Sequence, residues 1–113
     1  MSNSMILLDA PGPLPLKATF DSPISGSVVF VLSGTAWTNS APVLLEASLS
    51  LDGAIIGKSA MCYANLNANH QALRTTFILF NNLTLGEHTI TIQPATPKTV
   101  TDFNDYFQVT LLI

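Results

Sequence analysis

The sequence predicts an all-β protein, an antiparallel β-sandwich or jelly roll of about seven to nine strands. Three observations support this prediction. Apolar and polar residues alternate with a period of two in several stretches, as in half-buried strands. No window of about eleven residues shows the 3.6-residue period of an amphipathic helix. Seven prolines and six glycines interrupt the 113 residues at short intervals, which is typical of short strands joined by turns.

The first half of the chain contains the clearest strand patterns. Residues 14–20 alternate between apolar and polar side chains. Residues 27–32 are apolar on both faces, which indicates a strand that is covered on both sides, inside the sandwich or at a subunit contact. Around Asp52 and Gly53, two extended patterns flank a dipeptide that favours a tight two-residue turn, so a β-hairpin is predicted there. Before this turn, the predicted inward-facing residues are Leu45, Ala47, Leu49 and Leu51.

Further strands are predicted at residues 73–80, 88–92 and 106–113. The length fits one domain, so residues 1–113 are expected to form a single β-sandwich domain. Within it, residues 1–13 are expected to be an irregular lead-in or an edge segment, because three prolines in residues 11–15 disfavour a central position in a sheet.

Composition excludes several classes of protein. Apolar residues make up 48% of the chain and charged residues 10%, with a net charge of −3. A disordered chain has the opposite balance, and four basic residues are too few for the phosphate contacts of a nucleic-acid binder. The longest uncharged run, residues 22–45, contains prolines and glycines and does not predict a membrane-spanning helix. No signal-peptide pattern begins the chain, so we expect a soluble protein of undetermined compartment.

The scarcity of charge predicts self-association. Most charged residues fall in predicted turns or at strand ends, so the outer sheet faces would consist mainly of Ser, Thr and apolar side chains. Exposed apolar surface of that extent usually marks an interface. We therefore expect a homo-oligomer, with a trimer favoured over a dimer. The alternative is a monomer coated with Ser and Thr.

Catalytic patterns are not evident, and no enzymatic activity is expected. The chain has neither a Gly-x-Ser-x-Gly elbow nor a Gly-rich phosphate-binding loop. The single cysteine, Cys62, lies in an apolar stretch rather than in the electropositive setting of a nucleophilic thiol.

Sugar binding without a metal needs an aromatic ring beside polar side chains. Trp37 lies near a predicted strand end, and an Asn-rich loop follows later in the chain. Packing of Trp37 and ordinary turn chemistry in the loop are the alternatives. The candidate ligand-binding residues are Trp37, Asn65, Asn67, Asn69, His70 and Arg74.

A candidate metal site lies just before the last predicted strand. Asp102, Asn104 and Asp105 place three oxygen donors within four residues, and oxygen donors are the ligands of Ca²⁺. The alternative is that these side chains form turns that start the last strand. Apart from this candidate calcium ion, no cofactor is expected.

The run Asp102-Phe103-Asn104-Asp105, followed by an apolar strand, resembles the Asp-x-Asn-Asp loop of the calcium-dependent, fucose-binding bacterial lectins. The resemblance implies a small β-sandwich that binds sugar hydroxyls through calcium. It covers about a dozen residues, and the acidic residues that the lectins carry upstream and their terminal glycine are replaced here. In architecture and size alone, the chain also resembles the trimeric jelly rolls of tumour necrosis factor and complement heads.

These observations predict a non-catalytic, oligomeric interaction or assembly module that presents its loops to a glycan or a protein. The alternative function is a small carbohydrate-binding lectin, with calcium at the 102–105 cluster or with sugar on Trp37 and the Asn-rich loop.

Overall fold

The protein is a two-layer antiparallel β-sandwich, which confirms the predicted fold class. It is described by a computed structural model covering residues 3–113, with only the backbone of residues 59–61. Within that part of the chain we number nine strands. They are β1 (Ser4–Pro11), β2 (Leu16–Ser22), β3 (Gly26–Ala36), β4 (Val43–Leu51), β5 (Ala54–Ala64), β6 (Gln71–Ala72), β7 (Thr76–Leu83), β8 (Gly86–Pro94) and β9 (Tyr106–Leu112).

The strands form two sheets. The first sheet has the order β1-β9-β3, and β3 pairs on its other side with β7 and, near its end, with the short β6. The second sheet has the order β2-β8-β4-β5. All strand pairs in both sheets are antiparallel. Long-range crossovers between the sheets give the jelly-roll arrangement.

The core lies between the inward faces of the two sheets. Phe30 on β3 sits opposite Ile78 and Leu111 in the register of the first sheet, and its ring meets that of Phe20 on β2 edge to face, with centroids 6.3 Å apart. The sheets approach so closely that a Cβ on Gly57 would lie 2.6 Å from the Ile78 side chain. The predicted inward residues of β4 are all buried. They are Leu45, Ala47, Leu49 and Leu51.

One sequence prediction is narrowed by the structure and another needs correction. Of the two alternatives for residues 1–13, an irregular lead-in or an edge segment, the edge segment agrees with residues 4–11, which form an edge strand, β1, because β9 offers a full ladder of backbone partners. A bulge between Ile6 and Leu8 turns Leu8 into the core and leaves Ile6 outside. The strand predicted at residues 73–80 begins at Thr76 and runs to Leu83, since Leu73 instead donates its N–H to the carbonyl of Gly34.

The sandwich has two distinct ends. The register places the end of β3 beside the start of β9, and the start of β4 beside the end of β5. The loops 12–15, 37–42, 65–70 and 95–105 therefore meet at one end, which we call the long-loop end. The short connections 23–25, 52–53 and 84–85 lie at the opposite, short-turn end. Within the described residues, no helix has the length and apolar character of a membrane span.

Candidate functional site

Trp37 joins two loops at the long-loop end. It directly follows β3 and forms an isolated bridge with Val100: its N–H donates to the Val100 carbonyl (2.9 Å), and its own carbonyl accepts from the Val100 N–H (2.8 Å). The indole Nε1 is buried, with no hydrogen-bond partner among the described residues. The bridge ties the backbone of Trp37 to the 95–105 loop.

Asp105 carries a fully buried carboxylate, with 0% of its side chain exposed. Its Oδ1 accepts hydrogen bonds from Thr35 Oγ1 (2.7 Å) and from His70 Nδ1 (2.8 Å). Its Oδ2 accepts from the backbone N–H of Asp102 (2.9 Å). A buried carboxylate is stable only when such donors replace its lost water, so Asp105 ties together β3, the 65–70 loop and the start of β9.

His70 lies between two carboxylates. Besides the contact with Asp105, its Nε2 is 3.7 Å from Asp102 Oδ2, and its ring centroid is 5.7 Å from that of Trp37. The hydrogen bond to Asp105 raises the pKa of His70, and the charges of Asp105 and Asp102 act in the same direction. About a third of the His70 side chain stays exposed. The imidazole therefore presents an accessible edge beside the indole ring.

Asp102 shapes the turn that starts β9. Its Oδ1 accepts from the N–H of Asn104 (2.8 Å), and its carbonyl accepts from the N–H of Asp105 (3.1 Å). This is the side-chain turn that the sequence offered as the alternative to a metal site.

The oxygen atoms predicted as calcium ligands are mostly engaged by protein donors. Both oxygens of Asp105 and one of Asp102 accept hydrogen bonds. Asn104 contacts Asp102 through its backbone N–H and has an exposed side chain. Ca²⁺ takes six to eight oxygen ligands. One ligand atom each of His70, Asp102 and Asp105 lies within 4.8 Å of the others, and a calcium site at Asp102, Asn104 and Asp105 stays a prediction.

Two exposed aromatic side chains flank this cluster and were not among the predicted site residues. Phe103, at the apex of the 101–105 turn, is 80% exposed, and Tyr106, at the start of β9, is 49% exposed. A hydrogen bond with Asp9 raises the pKa of the Tyr106 hydroxyl. Phe103 is an aromatic residue inside a run of turn-forming polar residues. This pattern could have predicted its exposure, because a ring in a turn has no strand face on which to be buried.

The remaining predicted ligand-binding residues divide into two groups. Asn65, Asn67 and Asn69 lie exposed on the loop that carries His70, and Asn67 Oδ1 accepts from the N–H of Ala41 (2.8 Å), which fastens the 65–70 loop to the 37–42 loop. Arg74 follows β6 in the chain and has an exposed side chain. It takes part in none of the hydrogen bonds given above for Asp105, His70 and Asp102. The sequence analysis gave two separate candidate sites, a sugar site at Trp37 and the Asn-rich loop and a metal site at the 102–105 turn. The structure brings these two sites together at the long-loop end.

A second His–Asp pair lies at the short-turn end. Asp52 Oδ2 is 2.6 Å from His88 Nδ1, and Asp52 Oδ1 accepts from the N–H of Thr89 (2.8 Å). His88 Nε2 faces the carbonyl of Thr84 at 2.7 Å. The hydrogen bonds to Asp52 and Thr84 raise the pKa of His88, and those from His88 and Thr89 lower the pKa of Asp52. His88 is buried against Phe20, so this pair clamps two turns together.

Comparison with known proteins supports the fold. No protein-family model matches the sequence, and no curated protein sequence matches it. Among solved structures, dimeric latent PorU from Porphyromonas gingivalis aligns with a TM-score of 0.63 and 16% identity over 98% of this chain, which spans only 12% of that protein. A family 35 carbohydrate binding module from Clostridium thermocellum aligns with a TM-score of 0.56 and 11% identity, covering 96% of this chain and 90% of the module.

A third similar structure is the CBM35 from Cellvibrio japonicus Abf62. It aligns with a TM-score of 0.54 and 13% identity, covering 92% of this chain and 67% of that one. At these identities the likeness establishes the shared β-sandwich fold.

Proposed function

We propose that this protein is a non-catalytic carbohydrate-binding module and that it binds sugar at the long-loop end. The observation that carries the proposal is the convergence of Trp37, His70 and Asp102 with the exposed ring of Phe103 at this end. These groups come from three different loops.

The chemistry of the cluster suits a sugar. A pyranose ring presents an apolar face of C–H groups and a rim of hydroxyls, so it is bound by an exposed aromatic ring beside donors and acceptors. Phe103 offers the exposed ring. Asp102 Oδ2, which lies 3.7 Å from His70 Nε2, and the exposed edge of His70 offer polar partners. Exposed amides on the Asn-rich loop extend this polar surface.

Two of the similar structures are carbohydrate binding modules by name. Their fold is the fold of this chain, and the long-loop end is where this sandwich gathers its polar and aromatic loop residues. This supports the lectin-like alternative over the assembly module that the sequence favoured.

A glycan array tests the proposal, with the protein in buffer containing calcium and in buffer containing a chelator. We expect binding to at least one glycan class. Binding that survives chelation would support a metal-free site, whereas binding lost with chelation would support the calcium prediction at residues 102–105. An absence of binding to every glycan under both conditions would refute the proposal.

Two matched variants locate the site. Phe103→Ala removes an exposed ring at the long-loop end, and Leu85→Ala removes a side chain of 63% exposure at the short-turn end. Loss of ring stacking worth about 1.4 kcal/mol would weaken glycan binding about tenfold. Isothermal titration should show this loss for Phe103→Ala and unchanged affinity for Leu85→Ala. Equal affinities for both variants would place the site elsewhere.

A further inference from the structure

The two histidines of the chain each lie against an aspartate carboxylate, but the two pairs differ at the second ring nitrogen. Both ring nitrogens of His88 face acceptors within 2.7 Å. In His70, Nδ1 faces Asp105 Oδ1 at 2.8 Å, whereas Nε2 is 3.7 Å from Asp102 Oδ2 and has no hydrogen-bond partner among the described residues. The contacts of the His88 ring are thus complete within the fold, and those of the His70 ring leave one nitrogen for a further ligand.

Asp105 determines which nitrogen of His70 carries a hydrogen. A carboxylate oxygen only accepts, so Nδ1 must be the donor in the 2.8 Å contact. In the neutral imidazole, Nε2 then carries the lone pair. Thr35 Oγ1 and the backbone N–H of Asp102 hold the same carboxylate in place. Histidines that bind metals have this arrangement, in which the ring N–H away from the metal donates to a carboxylate that is itself hydrogen-bonded.

The spacing of His70 Nε2 and Asp102 Oδ2 fits two ligands of one tetrahedral ion. At the metal–ligand distances of about 2.0–2.2 Å that zinc has with nitrogen and oxygen, two ligands at a tetrahedral angle lie about 3.3–3.6 Å apart. At the right angle of a square-planar or octahedral ion, the same bonds place the ligands only about 2.8–3.1 Å apart. The separation of 3.7 Å is closest to the tetrahedral value, and it is too long for a direct hydrogen bond.

Both of these side chains are accessible from solvent, and the third carboxylate is not. The exposed fractions of the His70 and Asp102 side chains are 35% and 38%, against 0% for Asp105. Asp102 uses its other oxygen, Oδ1, to accept from the N–H of Asn104, so the turn is held while Oδ2 faces the imidazole. Asp105 therefore acts as a positioning residue that orients the His70 ring, and the ligand atoms are His70 Nε2 and Asp102 Oδ2.

We propose that His70 Nε2 and Asp102 Oδ2 bind one Zn²⁺ ion at the long-loop end. An imidazole nitrogen suits zinc, whereas calcium takes oxygen ligands, six to eight of them. Zinc is four-coordinate with nitrogen and carboxylate ligands, so two positions are left for water or another molecule. This ligand set differs from the calcium set expected from the sequence, which contains Asn104 and Asp105 and lacks His70.

Isothermal titration of the metal-free full chain with zinc chloride at about pH 7.5, where an unperturbed imidazole is mostly neutral, tests the proposal. We expect one Zn²⁺ per chain, bound with the same affinity in a large excess of Ca²⁺. His70→Gln and Asp102→Asn should each weaken binding at least about tenfold, the lower end of the loss seen when even an outer partner of a ligand is removed. Asp52→Asn is the matched control, because it alters the other His–Asp pair, and it should leave the zinc affinity unchanged.

Two further controls concern folding and the thiol. Glutamine at position 70 can still donate to Asp105, and asparagine at position 102 can still form the turn. Circular dichroism spectra and melting curves of both variants should therefore match those of the wild type. Thiolates are also zinc ligands, so the titration is repeated with Cys62→Ser, which should bind zinc as the wild type does.

NMR of the ¹⁵N-labelled imidazole rings locates the ion. Adding Zn²⁺ should shift the Nε2 resonance of His70 and leave both ring nitrogens of His88 unchanged. An absence of zinc binding, an affinity unchanged by either ligand substitution, binding lost with Cys62→Ser, displacement of Zn²⁺ by Ca²⁺, or shifts at His88 instead would each overturn the proposal. These measurements contain no glycan, so their outcome is independent of the proposed sugar site.

Discussion

Replacing Asp52 by Asn tests the role of the His–Asp pair at the short-turn end. Asn tolerates the positive φ of 50° at this position as Asp does, so the substitution mainly removes the negative charge. A hydrogen bond to a charged group contributes about 1.5–3 kcal/mol when it is shielded from water. Because the Asp52 side chain is 50% exposed, solvent screens the interaction, and we expect the free energy of unfolding to fall by about 1 kcal/mol.

The loss should depend on pH in a defined direction. Both ring nitrogens of His88 face acceptors, Asp52 Oδ2 and the Thr84 carbonyl, and only the imidazolium can donate to both. The raised pKa of His88 means that the pair stabilises the fold fully below about pH 6.5, the value of the unfolded chain. This stabilisation is lost as the pH rises through the folded-state pKa. On the acid side, it is lost as the pH falls through the lowered pKa of Asp52.

Urea denaturation of the wild type and Asp52→Asn at about pH 6 and pH 9 measures this effect. With a slope of about 1.5 kcal/mol per molar urea, the midpoints should differ by about 0.7 M at pH 6 and by less at pH 9. Asp21→Asn, which removes an exposed carboxylate from β2, controls for net charge. If the two proteins differ by the same amount at both pH values, the assignment of a charged His88 is wrong.

Two further substitutions test other parts of the structure. Asp105→Asn should lower the free energy of unfolding by about 3 kcal/mol, because a buried acceptor of three hydrogen bonds loses its charge; a loss under about 1 kcal/mol in urea would contradict this. Gly34→Ala should cost about 1–3 kcal/mol, since a Cβ there would collide with the ring of Phe107, and an unchanged midpoint would contradict it.

Most of the fold follows from local patterns in the sequence. The Asp52-Gly53 turn is where it was predicted, and its positive φ values of 50° and 90° explain why that dipeptide is informative. Period-two alternation correctly assigned the inward face of β4. The alternation of apolar and polar residues does not predict strand β1, just before the prolines at residues 11–15. This strand forms because it pairs with β9, about a hundred residues away in sequence.

The sequence predicts the residues of the candidate site but not their arrangement. The residue types at Trp37, His70 and the 102–105 turn indicate binding chemistry. Their spacing along the chain does not show that they lie in contact. Only the register of β3 with β9 brings Thr35 to Asp105. The sequence does not single out Phe103 as a site residue, because the exposure of its ring depends on a turn held by Asp102.

The central claim is that sugar binds at the long-loop end, and the most direct test is an NMR titration of the ¹⁵N-labelled protein with an oligosaccharide selected on the array. The account predicts that amide shifts will concentrate in residues 37–42, 65–70 and 101–106. The amides of the short-turn end, around Asp52 and His88, should remain unchanged. Shifts confined to the short-turn end or to the outer sheet faces, or no shifts with any glycan, would contradict the account.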